Sequence, residues 1–164
     1  SLMAKKPLSA LTKDLRKFVE DGRAAAGPIV VRSLQIEGPW WTGNFGRRWK
    51  LRNAPVMPVH YKDGLNRGWP GNQTNRFYRP VPELRLSIGQ TLYIGNSVSY
   101  AGFAVNNPNA TVTRPDGTKT TYENHAMRAR ITPPSKNPDW YKVYTASGGL
   151  FDDLTKAFRA TGAK

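Results

Sequence analysis

The sequence predicts an α+β domain in which a mostly antiparallel β-sheet packs against N-terminal and C-terminal helices. Apolar residues recur at helical spacing near both ends of the chain, and short β-rich stretches lie between them. The 15 glycines and 13 prolines among 164 residues indicate many turns and extended loops. We expect residues 1–7 to form a disordered tail that includes a two-residue expression remnant before Met3, and residues 8–164 to form one domain.

The N-terminal segment 8–26 has the pattern of an amphipathic helix. Its apolar residues follow one another at spacings of three, four, three and one, and they are Leu8, Leu11, Leu15, Phe18 and Val19. Ser9 or Thr12 suits the N-cap position. We expect Gly27 and Pro28 to break or kink this helix, and residues 28–38 to form a second helix, although their β-branched residues leave a strand open.

The stretch GPWWTGNFGRRWKL, residues 38–51, combines three of the five tryptophans with turn residues and cations. Its glycines and Pro39 prevent it from forming one regular element. Phe45 and Trp49 lie four residues apart, which predicts that they share one face of a short helical turn and close the end of the core. Trp40 and the cations remain candidates for contacts outside the core.

The middle of the chain is predicted to alternate loops and strands. Two prolines in residues 51–60 favour an edge strand or an extended arm. Residues 61–83 form a long irregular loop rich in arginine and aromatic residues, which makes it a candidate contact surface. Residues 84–88 alternate like a half-buried strand, and residues 90–105 begin as a strand that turns at Gly95 and Asn96.

The clearest local pattern is the Pro-Asp-Gly turn in residues 110–123. Threonine-rich stretches flank it, so we expect a projecting β-hairpin that is polar on both faces. Residues 131–140 are predicted to be an extended loop and 141–147 a last strand. The C-terminal residues from 148 onwards show helical spacing at Leu150, Phe151, Leu154, Ala157 and Phe158.

Groups that could perform catalysis are scarce. The chain has no cysteine, and its two histidines, His60 and His125, have no metal-ligand neighbour at a usable spacing. No phosphate-binding glycine loop occurs, and Asp152 and Asp153 are neighbours that would not face each other on a helix. We therefore expect no enzymatic activity, no cofactor and no metal, with a hydrolase that uses scattered carboxylates as a distant alternative.

Charge is the strongest global feature of the sequence. The net charge of +14 and pI of about 10.4 favour an anionic partner: nucleic acid, an anionic membrane surface or an acidic protein. No apolar run is long enough for a membrane span. Cations interleaved with aromatic residues suit contacts to nucleic acid without sequence preference. The candidate contacts are Arg47, Arg48, Lys50, Arg52, Arg114 and Lys119.

The order of motifs resembles a family of bacteriophage proteins. Pro39, the Thr42-Gly43 pair, Trp49, and Asn96 followed by Tyr100-Ala101 are spaced along the chain as in the tail-completion or neck proteins of long-tailed bacteriophages, the family of lambda protein Z-like minor tail components. Val105-Asn106-Asn107 stands where that family has Glu-x-Gly. Residues 61–83 and 110–135 look like insertions.

This resemblance implies a structural virion subunit that forms a ring, expected to be a hexamer, at the junction of head and tail around the DNA channel. It would assemble in the bacterial cytoplasm with other phage neck and tail proteins, as a completion protein, a tail terminator or another connector. The implied interface residues are Trp40, Trp41, Thr42, Gly43, Arg47, Arg48, Trp69, Arg76, Tyr78 and Tyr100. The alternative is a basic nucleic-acid-binding protein that acts as a monomer or dimer.

Overall fold

The computed structural model describes residues 7–39, 45–59, 80–105, 107, 109–113, 116–121 and 139–162. In these residues the chain forms α1 (Leu8–Glu37), β1 (Trp49–Arg52), β2 (Tyr93–Asn96), α2 (Ala101–Ala104), β3 (Thr111–Thr113), β4 (Lys119–Thr121), α3 (Trp140–Ala146) and α4 (Gly149–Gly162). The predicted α+β class is confirmed. The strands pair as two separate antiparallel ribbons, β1 with β2 and β3 with β4, so the described sheet structure is smaller than the single sheet we expected.

Helix α1 runs without a break for 30 residues and contains Pro28. The predicted break at Gly27 and Pro28 is therefore wrong, whereas the helical conformation predicted for the following residues is confirmed. A proline inside a helix costs about 3 kcal/mol. Buried residues on both sides of it, among them Ala24, Val30 and Val31, offset this cost because their burial requires the helix to continue.

The start of α1 also differs from the prediction. Pro7 occupies the N-cap position, and no side chain caps the helix there. Thr12 instead donates its hydroxyl hydrogen bond backwards to the Leu8 carbonyl at 3.0 Å, as threonines inside helices often do. The proposed caps Ser9 and Thr12 both lie within the helix.

Helix α4 packs antiparallel against α1. The rings of Phe18 and Phe158 meet edge to face with centroids 5.5 Å apart. Phe158 also lies over Gly22, where a Cβ atom would come within 2.2 Å of the ring, and Gly162 lies beside Phe18. Glycine at position 22 thus permits the close approach of the two helices, and the C-terminal helix predicted from the sequence is confirmed.

Residues 141–147 were predicted to be a strand, but α3 occupies them. Trp140 and Tyr144 are four residues apart and both are buried, so one face of a short helix carries the two side chains into the core. The Trp140 indole N–H donates to the Ala104 carbonyl at 2.9 Å. The β-forming preference of tyrosine and valine is therefore overridden by packing.

Residues 84–88 do not form the predicted strand. The guanidinium group of Arg23 on α1 donates to the carbonyls of Leu86, Ser87 and Gln90 at 3.2, 2.8 and 2.6 Å. These carbonyls bond to a side chain, so they are not used in a strand ladder. Arg85 adds an ion pair of 2.5 Å with Asp21, which holds this segment against the helix.

The predicted hairpin is confirmed as the ribbon of β3 and β4, which pairs Thr111 with Thr121 and Thr113 with Lys119. Gly117 has φ of 86°, a conformation that glycine adopts readily in the turn. Thr120 is buried, so the hairpin that was expected to project contributes one polar side chain to packing.

None of the helices in the described part of the chain is long and apolar enough to cross a membrane.

The hydroxyl of Tyr144 provides a pH-dependent contribution to stability. It donates to Asp153 on α4 at 2.6 Å. Burial, together with this hydrogen bond to a carboxylate, raises the pKa of Tyr144 well above its usual value of 10.0. The contribution is therefore complete below pH 10 and is lost as the pH rises above that value, because the unfolded state then releases a proton that the folded state retains.

We expect Tyr144→Phe to lower the free energy of unfolding by about 1 kcal/mol at pH 7, because it removes this hydrogen bond. The difference from the wild type should shrink as the pH rises from 9 to 11. Denaturant unfolding across this range measures it, with Tyr141→Phe on the exposed side of α3 as the control. A difference between Tyr144→Phe and wild type that stays constant with pH would contradict this role of the hydroxyl.

Candidate partner and nucleic-acid interface

The β1–β2 ribbon places cations on one face and core residues on the other. Trp49 is buried, and Leu51 packs against the hydrophobic core, so alternation along β1 directs Lys50 and Arg52 to the opposite face. The ribbon lies close to α1 because Gly27 has no side chain, and a Cβ atom there would come within 2.7 Å of Leu51. The sequence thus fixes which side of β1 presents its charges.

The turn before β1 is held by residues that follow β2. The Asn96 side-chain amide donates to the Phe45 carbonyl at 2.7 Å, and its oxygen accepts from the Val98 N–H at 3.1 Å. Ser97 donates to the Arg48 carbonyl from its backbone N–H at 3.0 Å and from its hydroxyl at 3.3 Å. These bonds fix the backbone from which the Arg47 and Arg48 side chains extend.

The aromatic residues of this turn belong to the core. Phe45 contacts both Trp49 and Trp140 edge to face, at ring-centroid distances of 5.5 and 6.1 Å. The expectation that Phe45 and Trp49 close the core is confirmed. They do not share a helical turn, because Phe45 begins a tight turn and Trp49 is the first residue of β1.

The outer face of the ribbon, defined here as Lys50, Arg52, Tyr93 and Gly95, is basic. Lys50 lies opposite Gly95 and Arg52 opposite Tyr93 in the antiparallel register. Neither residues 45–59 nor residues 91–105 contain an aspartate or glutamate. With Arg47 and Arg48 in the adjoining turn, four cations therefore lie within six consecutive residues that hold no carboxylate.

Apolar groups border these cations. Val56 packs over Gly95, where a Cβ atom would come within 2.8 Å of it. Met57 is 70% exposed and Val59 is 47% exposed, and the Val59 N–H donates to the Ser97 carbonyl at 2.7 Å. The segment that follows β1 thus runs back beside β2 and adds an apolar border to the basic face.

Two of the carboxylates on the helices have defined partners. Asp21 on α1 pairs with Lys17 at 2.7 Å and with Arg85 at 2.5 Å, and these partners lower the pKa of its carboxyl group. Asp153 on α4 accepts from Tyr144. Both of these carboxylates are thus engaged on the helices, and neither belongs to residues 45–59 or 91–105.

This arrangement suits contacts with phosphate groups or with carboxylates. Lys50 and Arg52 project from the same face about 7 Å apart, as expected for alternate residues of a strand. Cations on a fixed backbone bind a sugar-phosphate chain without reading its bases. No group of three or more histidine, cysteine, aspartate or glutamate residues is placed to bind a metal ion within the described ranges.

The other candidate residues lie apart from this face or outside the described ranges. Tyr100 is half-buried against the core at the N-terminus of α2, and Lys119 is exposed on the separate β3–β4 ribbon. The candidates outside the described residues are Trp40, Trp41, Thr42, Gly43, Trp69, Arg76, Tyr78 and Arg114.

The sequence analysis missed two features of α1. Leu8, Leu11 and Leu15 form part of the predicted amphipathic pattern, but they are exposed on the first three turns of α1. The hold of Arg23 on residues 86–90 was also missed, since nothing in the spacing connects a helical arginine to a loop more than 60 residues away. The sequence indicated the exposure of these leucines only through their regular spacing at the start of the helix.

Comparison with protein-family models, with curated proteins and with solved structures found no match to this chain.

We expect Asn96→Ala to destabilise the protein by about 1–3 kcal/mol, because it leaves the Phe45 carbonyl and the Val98 N–H without this partner in a partly buried site. Denaturant unfolding measures the change. Asn53→Ala, at an exposed position just after β1, is the matched control and should stay within about 0.5 kcal/mol of wild type. Equal effects of the two substitutions would argue against Asn96 as the residue that holds the turn.

Proposed function

We propose that this chain is a non-enzymatic structural subunit that assembles with copies of itself and contacts DNA through the outer face of the ribbon. Following the resemblance of its motifs, we propose a neck or tail-completion connector of a tailed bacteriophage, located in the virion at the junction of head and tail. In such a connector the subunits form a closed ring, hexameric by resemblance, around the DNA channel.

The observation that carries this proposal is the cluster of four cations on and beside the ribbon. Lys50 and Arg52 project from a ribbon that has a packed inner face, and no carboxylate occurs in residues 45–59 or 91–105. A surface of this kind favours the phosphate backbone independently of sequence, which suits a channel through which any DNA sequence must pass.

Two motifs behind the resemblance have structural roles that agree with the proposal. Asn96 holds the turn that carries Arg47 and Arg48, and Tyr100-Ala101 packs against the core at the start of α2. Asn96 thus supports the basic ribbon directly, and Tyr100-Ala101 packs on the same core as Trp49 of the ribbon.

The alternative function is sequence-independent nucleic-acid binding by a monomer or dimer. The same four cations favour it, since phosphate contacts alone do not require a ring. The two functions differ in whether DNA is encircled by several copies, which negative-stain electron microscopy shows as a particle with a central channel.

We expect the double substitution Lys50→Glu and Arg52→Glu to abolish measurable binding of a fluorescent duplex at low salt. The milder Lys50→Gln and Arg52→Gln pair should lower the slope of log affinity against log salt by about 2, because two phosphate contacts are lost.

The matched control is the double substitution Lys142→Glu and Lys156→Glu, which reverses one exposed cation on α3 and one on α4. This variant should bind the duplex at least half as tightly as wild type. If both double variants lose binding equally, binding follows net charge and the ribbon is not the DNA contact. If wild type ignores duplex DNA and binds an acidic protein, the proposed channel contact is wrong.

A further inference from the structure

The face of α1 that packs on α4 continues beyond the end of α4. The Phe18 ring contacts Phe158 on α4. Gly162, at the end of α4, also lies beside Phe18. Leu15, Leu11 and Leu8 extend the same face at spacings of three, four and three residues, and they are 61%, 50% and 79% exposed. Three leucines therefore lie in water on a helix face that contacts α4 one turn later.

A matching apolar row lies on α4. Leu154 and Phe151 precede Phe158 by four and seven residues, which places all three on one side of the helix. Phe151 is 72% exposed and Leu154 is 36% exposed. The helical stripe is defined as Leu8, Leu11, Leu15, Phe18, Phe158, Leu154 and Phe151. It presents on the order of 600 Å² of apolar surface, at the upper end of the largest patches on soluble monomers.

The stripe is nearly symmetric about the contact between Phe18 and Phe158. Leu15 and Leu154 lie three and four residues from this pair on their own helices, and Leu11 and Phe151 each lie seven residues from it. At 1.5 Å per residue, these two distances are about 5 Å and about 10 Å on both sides. Because α1 and α4 are antiparallel, the two halves run in opposite directions from the aromatic pair.

The balanced charge around the helical stripe favours a second copy of the chain as its partner. The chain carries +14 overall, but residues 8–21 hold three cations and three carboxylates, and residues 149–162 hold two of each. An acidic partner or an anionic membrane would gain nothing here over the basic ribbon. Two copies can meet at this stripe without the repulsion that their net charge imposes elsewhere.

We propose that the helical stripe binds the same stripe of a second copy about a two-fold axis near Phe18 and Phe158. Leu11 of each copy then packs on Phe151 of the other, and Leu15 packs on Leu154. The contact is a four-helix arrangement made from two α1–α4 pairs. About 600 Å² from each copy gives a total of about 1,200 Å², which reaches the range of specific interfaces.

This contact goes beyond the proposed function and does not rest on it. A two-fold contact joins two copies and closes on itself, whereas a ring of six needs a different, head-to-tail contact. Failure of the DNA or ring proposal would leave the two-fold contact standing, and its own failure would leave the basic ribbon unaffected.

Disulfide cross-linking tests the proposal directly, because the chain has no cysteine of its own. Leu11→Cys and Phe151→Cys proteins, mixed and oxidised at micromolar concentration, should form covalent dimers that contain one copy of each variant. Leu11→Cys alone should give at least tenfold less dimer, since the two-fold axis separates its two copies of position 11 by about 20 Å.

Lys13→Cys mixed with Phe151→Cys is the matched control, because Lys13 faces away from the stripe and should not cross-link. Adding Leu15→Glu to the Leu11→Cys chain should abolish the dimer, with circular dichroism as the check that the helices persist. Cross-links that form equally in the control, or in Leu11→Cys alone, would overturn the two-fold contact. A monomer that binds neutral lipid vesicles through Leu15 would also overturn it.

Discussion

The fold depends on the continuity of α1 through Pro28. Four other parts of the described structure pack against this helix: α4 at Gly22, β1 at Gly27, α3 through the core around Leu34, and residues 85–90 through Arg23. A helix that ended at Gly27 would leave the contact with α3 around Leu34 on a separate element. The cost of one proline in a helix is small beside the apolar area that these contacts remove from water.

Glycines on α1 determine how closely the other elements approach. Gly22 admits the ring of Phe158, and Gly27 admits Leu51. The second contact sets the orientation of β1, and therefore the side to which Lys50 and Arg52 project. Packing of the helix thus decides where the basic face lies, while the bonds from Asn96 and Ser97 hold the preceding turn in place.

Two kinds of surface result, and they suit different partners. The ribbon is basic and bordered by modest apolar groups, so it favours an anion such as a DNA backbone. The stripe on α1 and α4 is apolar with balanced charge, so it favours another copy of the chain. A strongly basic protein that self-associates must do so where its own charge is neutralised, and the helical stripe provides that condition.

The parts of the structure that local chemistry determines were predicted well. The Pro-Asp-Gly turn predicted the β3–β4 hairpin, helical spacing predicted both terminal helices, and the β-forming residues after position 90 predicted the start of β2. Gly95 and Asn96, which were predicted to form a turn, instead lie within β2. Residues 141–147 and 84–88 were predicted wrongly because their conformations depend on contacts distant in sequence, namely Trp140 with Ala104 and Arg23 with residues 86–90. Of the candidate site, the sequence identified Lys50 and Arg52 as candidate contacts, but it did not predict β1, whose alternation places them on one face. The exposure of Leu8, Leu11 and Leu15 depends on where α4 ends.

The most direct test of this account is the sedimentation velocity of the purified protein at about 0.1 M and about 0.5 M salt, with and without a short DNA duplex. Self-association should persist or strengthen at the higher salt, because the copies are held together by apolar contacts in a region of balanced charge. Binding of DNA should be lost over the same range, because it depends on the basic ribbon. Self-association that disappears together with DNA binding would contradict the separation of the two surfaces, and so would DNA binding that persists at the higher salt.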